Sequence, residues 1–164
     1  MIVLVLNVGS SSLKFQLVDT DEEKIASSRD VRLARGQVER IGGEAIITLS
    51  AEGRRTTKTS VQLRNHAAAV EYVIGWLTGE ESGVSITRVG DIEAVGHRVV
   101  HGGERFTHST LVDDAVWNEV EELIEQSRAR PVPPFALRSA QYLFLKQSLR
   151  DDLFLRSHTV SRRT

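Results

Sequence analysis

The chain has 164 residues, of which 40% are hydrophobic and 26% charged, values typical of a globular domain with a real core. Its lack of cysteine excludes disulfides, thiolate metal sites and cysteine nucleophiles, and favours a reducing cytoplasm as its location. The longest apolar opening, residues 2–6, is too short to span a membrane and follows no basic segment, so we expect neither a membrane span nor a signal peptide.

Charge is distributed unevenly along the chain. Residues 1–126 contain 13 Lys and Arg against 20 Asp and Glu, whereas residues 127–164 contain 8 against 2 and all three prolines. Such a shift indicates a domain boundary, a basic tail or a sequence that has lost its original coding sense. We predict a domain over 1–126 and a degenerate or disordered Arg/Pro-rich tail over 127–164. Because this tail has no clear amphipathic face and no interleaved aromatic and basic residues, we expect it to bind neither nucleic acid nor a membrane.

The chain opens with a predicted β-hairpin. Residues 2–6 form an apolar run typical of a buried strand, and residues 7–12 have the composition of a turn. Residues 13–18 alternate apolar and polar side chains, which predicts a second strand, antiparallel to the first. Residues 19–23 are predicted to form another turn, and residues 44–49 a further strand.

Two helices and one more strand are predicted after this unit. Asn65 is suited to cap a helix whose apolar residues recur at helical spacing and which stops near Gly79. Residues 92–100 resemble a buried strand, and Asp113 or Asp114 can cap a second helix. We interpret the apolar stripes of both helices as core packing.

The turn between the first two strands has the composition of an anion-binding loop. Gly9 lets the backbone approach a ligand closely, and Lys14 adds a compact positive charge. Asn7 ends the first strand, where its carbonyl oxygen could hold magnesium or a magnesium-bound water. Three hydroxyls that can donate to anionic oxygens lie between them: Ser10, Ser11 and Ser12. Taken alone, the same residues are equally compatible with a plain polar turn.

A second segment of interest is the strand that contains Arg98. A guanidinium group inside an apolar strand requires an anionic partner, which could be a core carboxylate or the carboxylate or phosphoryl group of a substrate. His97 and His101 would lie about 13 Å apart on a strand, too far to share one metal ion. We therefore expect both histidines to be hydrogen-bonded structural residues.

These two segments together resemble the acetate kinase family. The first reads Asn-Val-Gly-Ser-Ser-Ser-Leu-Lys after an N-terminal strand, and the second, residues 95–104, contains Gly-His-Arg-Val-Val-His-Gly-Gly. The resemblance places the chain in the superfamily of acetate and sugar kinases, heat-shock ATPases and actin. It implies an α/β fold, the N-terminal lobe of an actin-like ATPase, with a mixed β-sheet, flanking helices and a second domain that this chain lacks.

The resemblance also implies an activity and roles for residues. Family enzymes transfer phosphate between ATP and acetate with magnesium, produce acetyl phosphate and form homodimers. By matching positions, Asn7 would serve magnesium, and Lys14 with Ser10, Ser11 and Ser12 would bind the ATP phosphates. Arg98 would bind the substrate near its carboxylate, and Val100 would line the pocket for the acetate methyl group.

The resemblance ends near residue 126. By spacing, a catalytic aspartate of the family falls at His158, and of that motif only Thr159 is retained. The catalytic and adenosine-binding residues would belong to the part that this chain lacks. We therefore expect an inactive fragment of an acetate kinase; a propionate kinase of the same family and a non-catalytic nucleotide-fold fragment remain alternatives.

Overall fold

The computed structural model describes residues 1–97, 110–116, 118–119 and 158–160. These residues contain one mixed sheet with the strand order β5-β4-β3-β2-β1-β6-β8-β7. Its strands are β1 (Ile2–Val8), β2 (Ser12–Asp19), β3 (Val31–Glu39), β4 (Gly43–Ala51), β5 (Thr57–Leu63), β6 (Ala94–His97), β7 (Thr110–Leu111) and β8 (His158–Val160). The helices are α1 (Glu22–Ala26) and α2 (His66–Leu77), and Val89–Asp91 form one 3-10 turn.

The pairing of the strands confirms the predicted hairpin and mixed sheet. Strands β1 to β5 follow one another as an antiparallel meander. Strand β6 then returns to pair in parallel with β1, so β1 lies between β2 and β6. Strand β8 pairs in parallel with β6 and antiparallel with β7.

Several predicted elements differ from those observed. The turn predicted over residues 19–23 is wrong in part, because α1 begins at Glu22 and the side chain of Asp21 caps it by accepting from Lys24 N at 2.8 Å. Strands β3 and β5 were not predicted. The strand predicted over 44–49 extends to Gly43–Ala51.

Helix α2 confirms its predicted cap. The Asn65 side chain accepts a hydrogen bond from Ala68 N at 3.0 Å, and the helix ends just before Thr78 and Gly79. Of the two proposed caps further on, Asp113 is the one that accepts, from Val116 N at 2.8 Å. Only the 94–97 part of the strand predicted over 92–100 lies within the described residues.

The predicted tail is described only at His158–Val160, which form β8 in the sheet. The division of the chain at residue 126 stays a prediction. None of the helices in the described ranges is long and apolar enough to cross a membrane.

The core lies between one face of the sheet and α2. Side chains that alternate along β1 and β2 are buried there, among them Leu4, Leu6, Leu13, Phe15 and Leu17. From the other side, α2 contributes Ala69, Val70, Val73 and Leu77. The rings of Phe15 and Trp76 meet edge to face, with centroids 6.1 Å apart.

Gly36 allows this packing. A Cβ at Gly36 would lie 2.6 Å from Phe15 Cε1 and 2.6 Å from the Thr48 carbonyl oxygen. No side chain fits between these atoms, so glycine at this position lets the Phe15 ring lie against β3.

Candidate functional site

The loop between β1 and β2 is shorter than the predicted turn. Asn7 and Val8 belong to β1, Ser12 begins β2, and only Gly9, Ser10 and Ser11 lie between the strands. The Gly9 amide donates to the Ser12 carbonyl at 2.8 Å, which closes the loop. A Cβ at Gly9 would lie 2.6 Å from Ser12 Oγ, so any side chain here would displace the serine hydroxyl.

Three carbonyl oxygens of this loop are held by donors from the protein. Gly9 O is 2.9 Å from His66 Nε2, and Ser11 O accepts from Ile41 N at 2.9 Å. Ser12 O accepts from Gly9 N, as above. Among the described residues, no acceptor is present for the backbone N–H groups of Ser10 and Ser11, and both residues are exposed. The loop and the first residue of β2 therefore have three of their four carbonyls occupied, those of Gly9, Ser11 and Ser12, and have backbone donors available to an anion.

Asn7 and Lys14 lie opposite each other in the β1–β2 register. Opposed side chains of antiparallel strands have their Cβ atoms about 5 Å apart on one face of the sheet. Asn7 is half-buried and Lys14 is exposed, next to the loop. Asn7 and Lys14 thus share one face of the hairpin at the end that carries the serine loop, and their roles in binding stay predictions.

The sheet face that carries Lys14 is polar and has charges of both signs near the loop, because Glu39, the partner of Ser12 in the register, lies on the same face. A shallow groove of about 310 Å³ runs from Lys14 across β3 and β4. Its lining has two cations, Lys14 and Arg35, and no carboxylate. The other residues that line it are Phe15, Gln16, Gly36, Gln37, Thr48, Ser50 and Thr56. An anion in this groove meets the positive charge of Lys14 and Arg35, which Glu39 offsets opposite Ser12.

His66 is a site residue that the sequence did not reveal. It is the first residue of α2, directly after the Asn65 cap, and is half-buried. Because a carbonyl oxygen can only accept, the Nε2 atom facing Gly9 O carries the proton. Burial lowers the pKa of His66 below its usual value, and the hydrogen bond to Gly9 offsets this only in part. The ring is therefore neutral at physiological pH.

The second motif is described only at its start. Val95, Gly96 and His97 lie in β6, and the register pairs His97 with Leu6. Strand β6 thus ends at His97, directly before Arg98, and His97 lies beside Leu6, directly before Asn7. Arg98, Val100 and His101 lie outside the described residues, so their predicted roles remain predictions.

The position proposed for the lost catalytic aspartate lies in strand β8. The backbone of His158 pairs with Val95, and that of Thr159 with Gly96. His158, the position predicted to match the family's aspartate, is therefore in the sheet, in the strand next to the described part of the second motif.

Comparisons with known proteins give one consistent relationship. A sequence model of the Acetokinase family matches residues 2–132. An acetate kinase from Solibacter usitatus is 52% identical over 126 residues, covering 76% of this chain and 30% of that protein. An acetate kinase from Chloroherpeton thalassium is 44% identical over 131 residues, covering 76% of this chain and 31% of that protein.

Solved structures agree on the fold. The Porphyromonas gingivalis acetate kinase superposes with a TM-score of 0.71 at 28% identity, over 98% of this chain and 36% of that one. A propionate kinase from Francisella tularensis superposes with a TM-score of 0.67 at 23% identity, over 98% of this chain and 36% of that one, a likeness of fold alone. The chain thus spans about 30% of the length of the curated relatives that it matches.

Proposed function

Because the chain belongs to the acetokinase family, we propose that it is the N-terminal part of a kinase that transfers the γ-phosphoryl group of ATP to acetate, giving acetyl phosphate. The observation that carries this proposal is the serine loop, in which the carbonyls of Gly9, Ser11 and Ser12 accept from the protein and the N–H groups of Ser10 and Ser11 are available. Phosphoryl transfer depends on positioning and on neutralising charge more than on covalent chemistry by the protein. A loop of this kind supplies both.

Each residue of the two motifs has a proposed role. Ser10, Ser11 and Ser12 donate to phosphate oxygens, and Lys14 adds a positive charge beside them. Arg98 grips the acetate carboxylate with its planar pair of donors, and Val100 lines the pocket for the methyl group. The register between β1 and β6 supports this arrangement. It pairs His97, the residue before Arg98, with Leu6, the residue before Asn7.

The magnesium ion that accompanies ATP fits the residues at this end of the hairpin. Mg²⁺ takes oxygen ligands, keeps several waters, and in phosphate sites needs only one or two protein ligands. The half-buried side chain of Asn7 offers one amide oxygen beside Lys14, so we assign Asn7 to the ion or to one of its waters. When bound, Mg²⁺ neutralises charge on the phosphate oxygens.

The chain by itself is not expected to turn over substrate. It spans about 30% of its relatives, and the position proposed for a catalytic aspartate holds His158. We propose that residues 1–126 form the kinase lobe and that residues 127–164 form a degenerate tail, which loses the family sequence beyond the end of the family match at residue 132. The absence of cysteine supports a reducing, cytoplasmic location. The homodimer implied by the resemblance stays a prediction.

An intact family enzyme whose matching segment is replaced by residues 1–126 of this chain tests the function. We expect turnover of ATP and acetate to acetyl phosphate, measured as the hydroxamate. In this enzyme, Arg98→Lys should lower kcat/KM for acetate by at least about 100-fold, about 2.7 kcal/mol, because lysine lacks the paired donors. A higher kcat/KM for propionate would instead reassign the substrate, and a fully active Arg98→Lys enzyme would remove Arg98 from the site.

The 164-residue chain provides a second test. Titration with magnesium and ATP should shift the NMR signals of the Ser10 and Ser11 amides. Lys14→Ala should weaken this binding, whereas Lys58→Ala, which removes an exposed lysine at the far side of the same sheet face, should not. Equal effects of the two variants would reduce the binding to general attraction by positive charge.

A further inference from the structure

We propose that His66 is a positioning residue for the phosphate loop, holding the Gly9 carbonyl so that the donors of Ser10 and Ser11 stay available to a phosphate group. The inference rests on the proposed function, since it assigns a task to a residue next to that site. It concerns a contact between residues 57 positions apart in the chain, at a distance of 2.9 Å.

The backbone of His66 is anchored independently of the loop. The Asn65 cap fixes the start of α2, and the helix is held on the core by buried side chains of its next three turns: Ala69, Val70, Val73 and Leu77. The imidazole ring therefore projects from a rigid element, not from a second loop. Because α2 is fixed on the core, the hydrogen bond from His66 can set the position of the Gly9 carbonyl.

Gly9 is the residue of the loop that most needs such a restraint. Glycine loses more conformational freedom on ordering than any other residue, so loss of the His66 hydrogen bond to the Gly9 carbonyl would lower the population of the binding-competent loop. The Gly9 amide donates to the Ser12 carbonyl, and the carbonyls of Ser11 and Ser12 accept from backbone donors, whereas the Gly9 carbonyl faces a side-chain donor, His66. A loop ordered in advance binds its ligand without a further entropy cost.

Variants of the 164-residue chain separate this role from a general effect on stability. His66→Phe keeps a ring but has no N–H donor, whereas His66→Gln keeps a donor of similar reach. Ile47→Val is the control for lost stability, because it removes a buried methyl group from β4 and leaves Asn65, His66 and the serine loop unaltered. The readouts are the dissociation constant of magnesium pyrophosphate, followed at the Ser10 and Ser11 amides by NMR, and the exchange rates of these two amides.

We expect His66→Phe to weaken pyrophosphate binding about three- to tenfold, the range that one neutral hydrogen bond contributes, and to speed amide exchange at Ser10 and Ser11. His66→Gln should restore much of the affinity, and Ile47→Val should lower Tm while leaving the affinity unchanged. Normal binding by His66→Phe, a folded His66→Gln chain as weak as His66→Phe, or a His66→Phe chain that fails to fold would each overturn the positioning role.

The failure of the proposed function has a different signature. If the unaltered chain does not bind pyrophosphate at the serine loop, both the phosphate site and the role of His66 are rejected. If the unaltered chain binds and His66→Phe binds equally well, the phosphate site stands and only the inference about His66 is rejected.

Discussion

Adjacent residues of strand β2 serve opposite faces of the sheet. Leu13, Phe15 and Leu17 are buried against α2, whereas Lys14 and Gln16 are exposed on the polar face. Because successive side chains of a strand point to opposite faces, the residues that stabilise the fold lie on one face and the residues of the candidate site on the other. A slip of one residue in register would exchange the two sets, so burial of the apolar face also fixes where Lys14 lies.

The two faces should therefore respond differently to substitution. Changes on the buried face should lower the free energy of unfolding, and their effect on phosphate binding should follow only from loss of the fold. Changes on the polar face should alter binding at nearly constant stability. The following variants, in order of expected effect, test this separation and the parts of the structure that maintain it.

Phe15→Ala should have the largest effect on the buried face. The phenyl ring is 2% exposed and meets Trp76 edge to face, so truncation should cost about 3–5 kcal/mol of unfolding free energy. Lys14→Ala, one residue away, should change the unfolding free energy by less than about 0.5 kcal/mol. Urea denaturation followed by circular dichroism measures both. Similar losses for the two variants would show that the faces are not separate.

Gly36→Ala tests whether the close approach of Phe15 to β3 is required. The added Cβ would meet Phe15 Cε1 and the Thr48 carbonyl oxygen at 2.6 Å, so the strands or the ring must move, at a cost of about 1–3 kcal/mol. Gly43→Ala is the control, because nothing lies within 4 Å of its added Cβ. The prediction fails if thermal denaturation ranks Gly43→Ala as the more destabilising change.

Asn65→Ala should have a smaller effect on the helix that covers the buried face. Loss of the hydrogen bond to Ala68 N should lower the unfolding free energy by about 1 kcal/mol. Asn65→Asp and Asn65→Ser keep a side-chain acceptor, so their Tm values should stay close to that of the unaltered chain. An Asp variant as unstable as the Ala variant would argue against capping as the cause.

Asp91→Asn should have the smallest effect, and one that depends on pH. Hydrogen bonds from the Thr87 backbone and then from the Arg88 side chain lower the pKa of Asp91 from 3.8 to about 2. Because the folded pKa is lowered, the stabilisation is present above about pH 4 and is lost as the pH falls toward 2. Asp91→Asn should thus be less stable than the unaltered chain at pH 7. Their Tm difference should close between pH 4 and pH 2, and a constant difference would contradict this account.

Local patterns explain which elements could be predicted. The alternation over residues 13–18 and the cap at Asn65 lie within single elements, and both are confirmed. Strand β5 was missed because polar residues dominate the sequence of this edge strand, which has one buried residue. Strand β3 was missed because its apolar and polar residues do not alternate strictly and it contains Gly36. Helix α1 was missed because it has only five residues, none of them buried.

The sequence by itself determined the chemistry of the serine loop, the alternation that places Lys14 opposite the core, and the family to which the chain belongs. Only the tertiary structure decided which donors hold the loop. His66 lies 57 residues from Gly9, and Ile41 donates to Ser11 from the β3–β4 turn. The local sequence does not predict these two hydrogen bonds, because the residues that form them are far apart in the chain. They follow from the packing of α2 on the sheet and from the register of the meander, which depend on burial of the core as a whole.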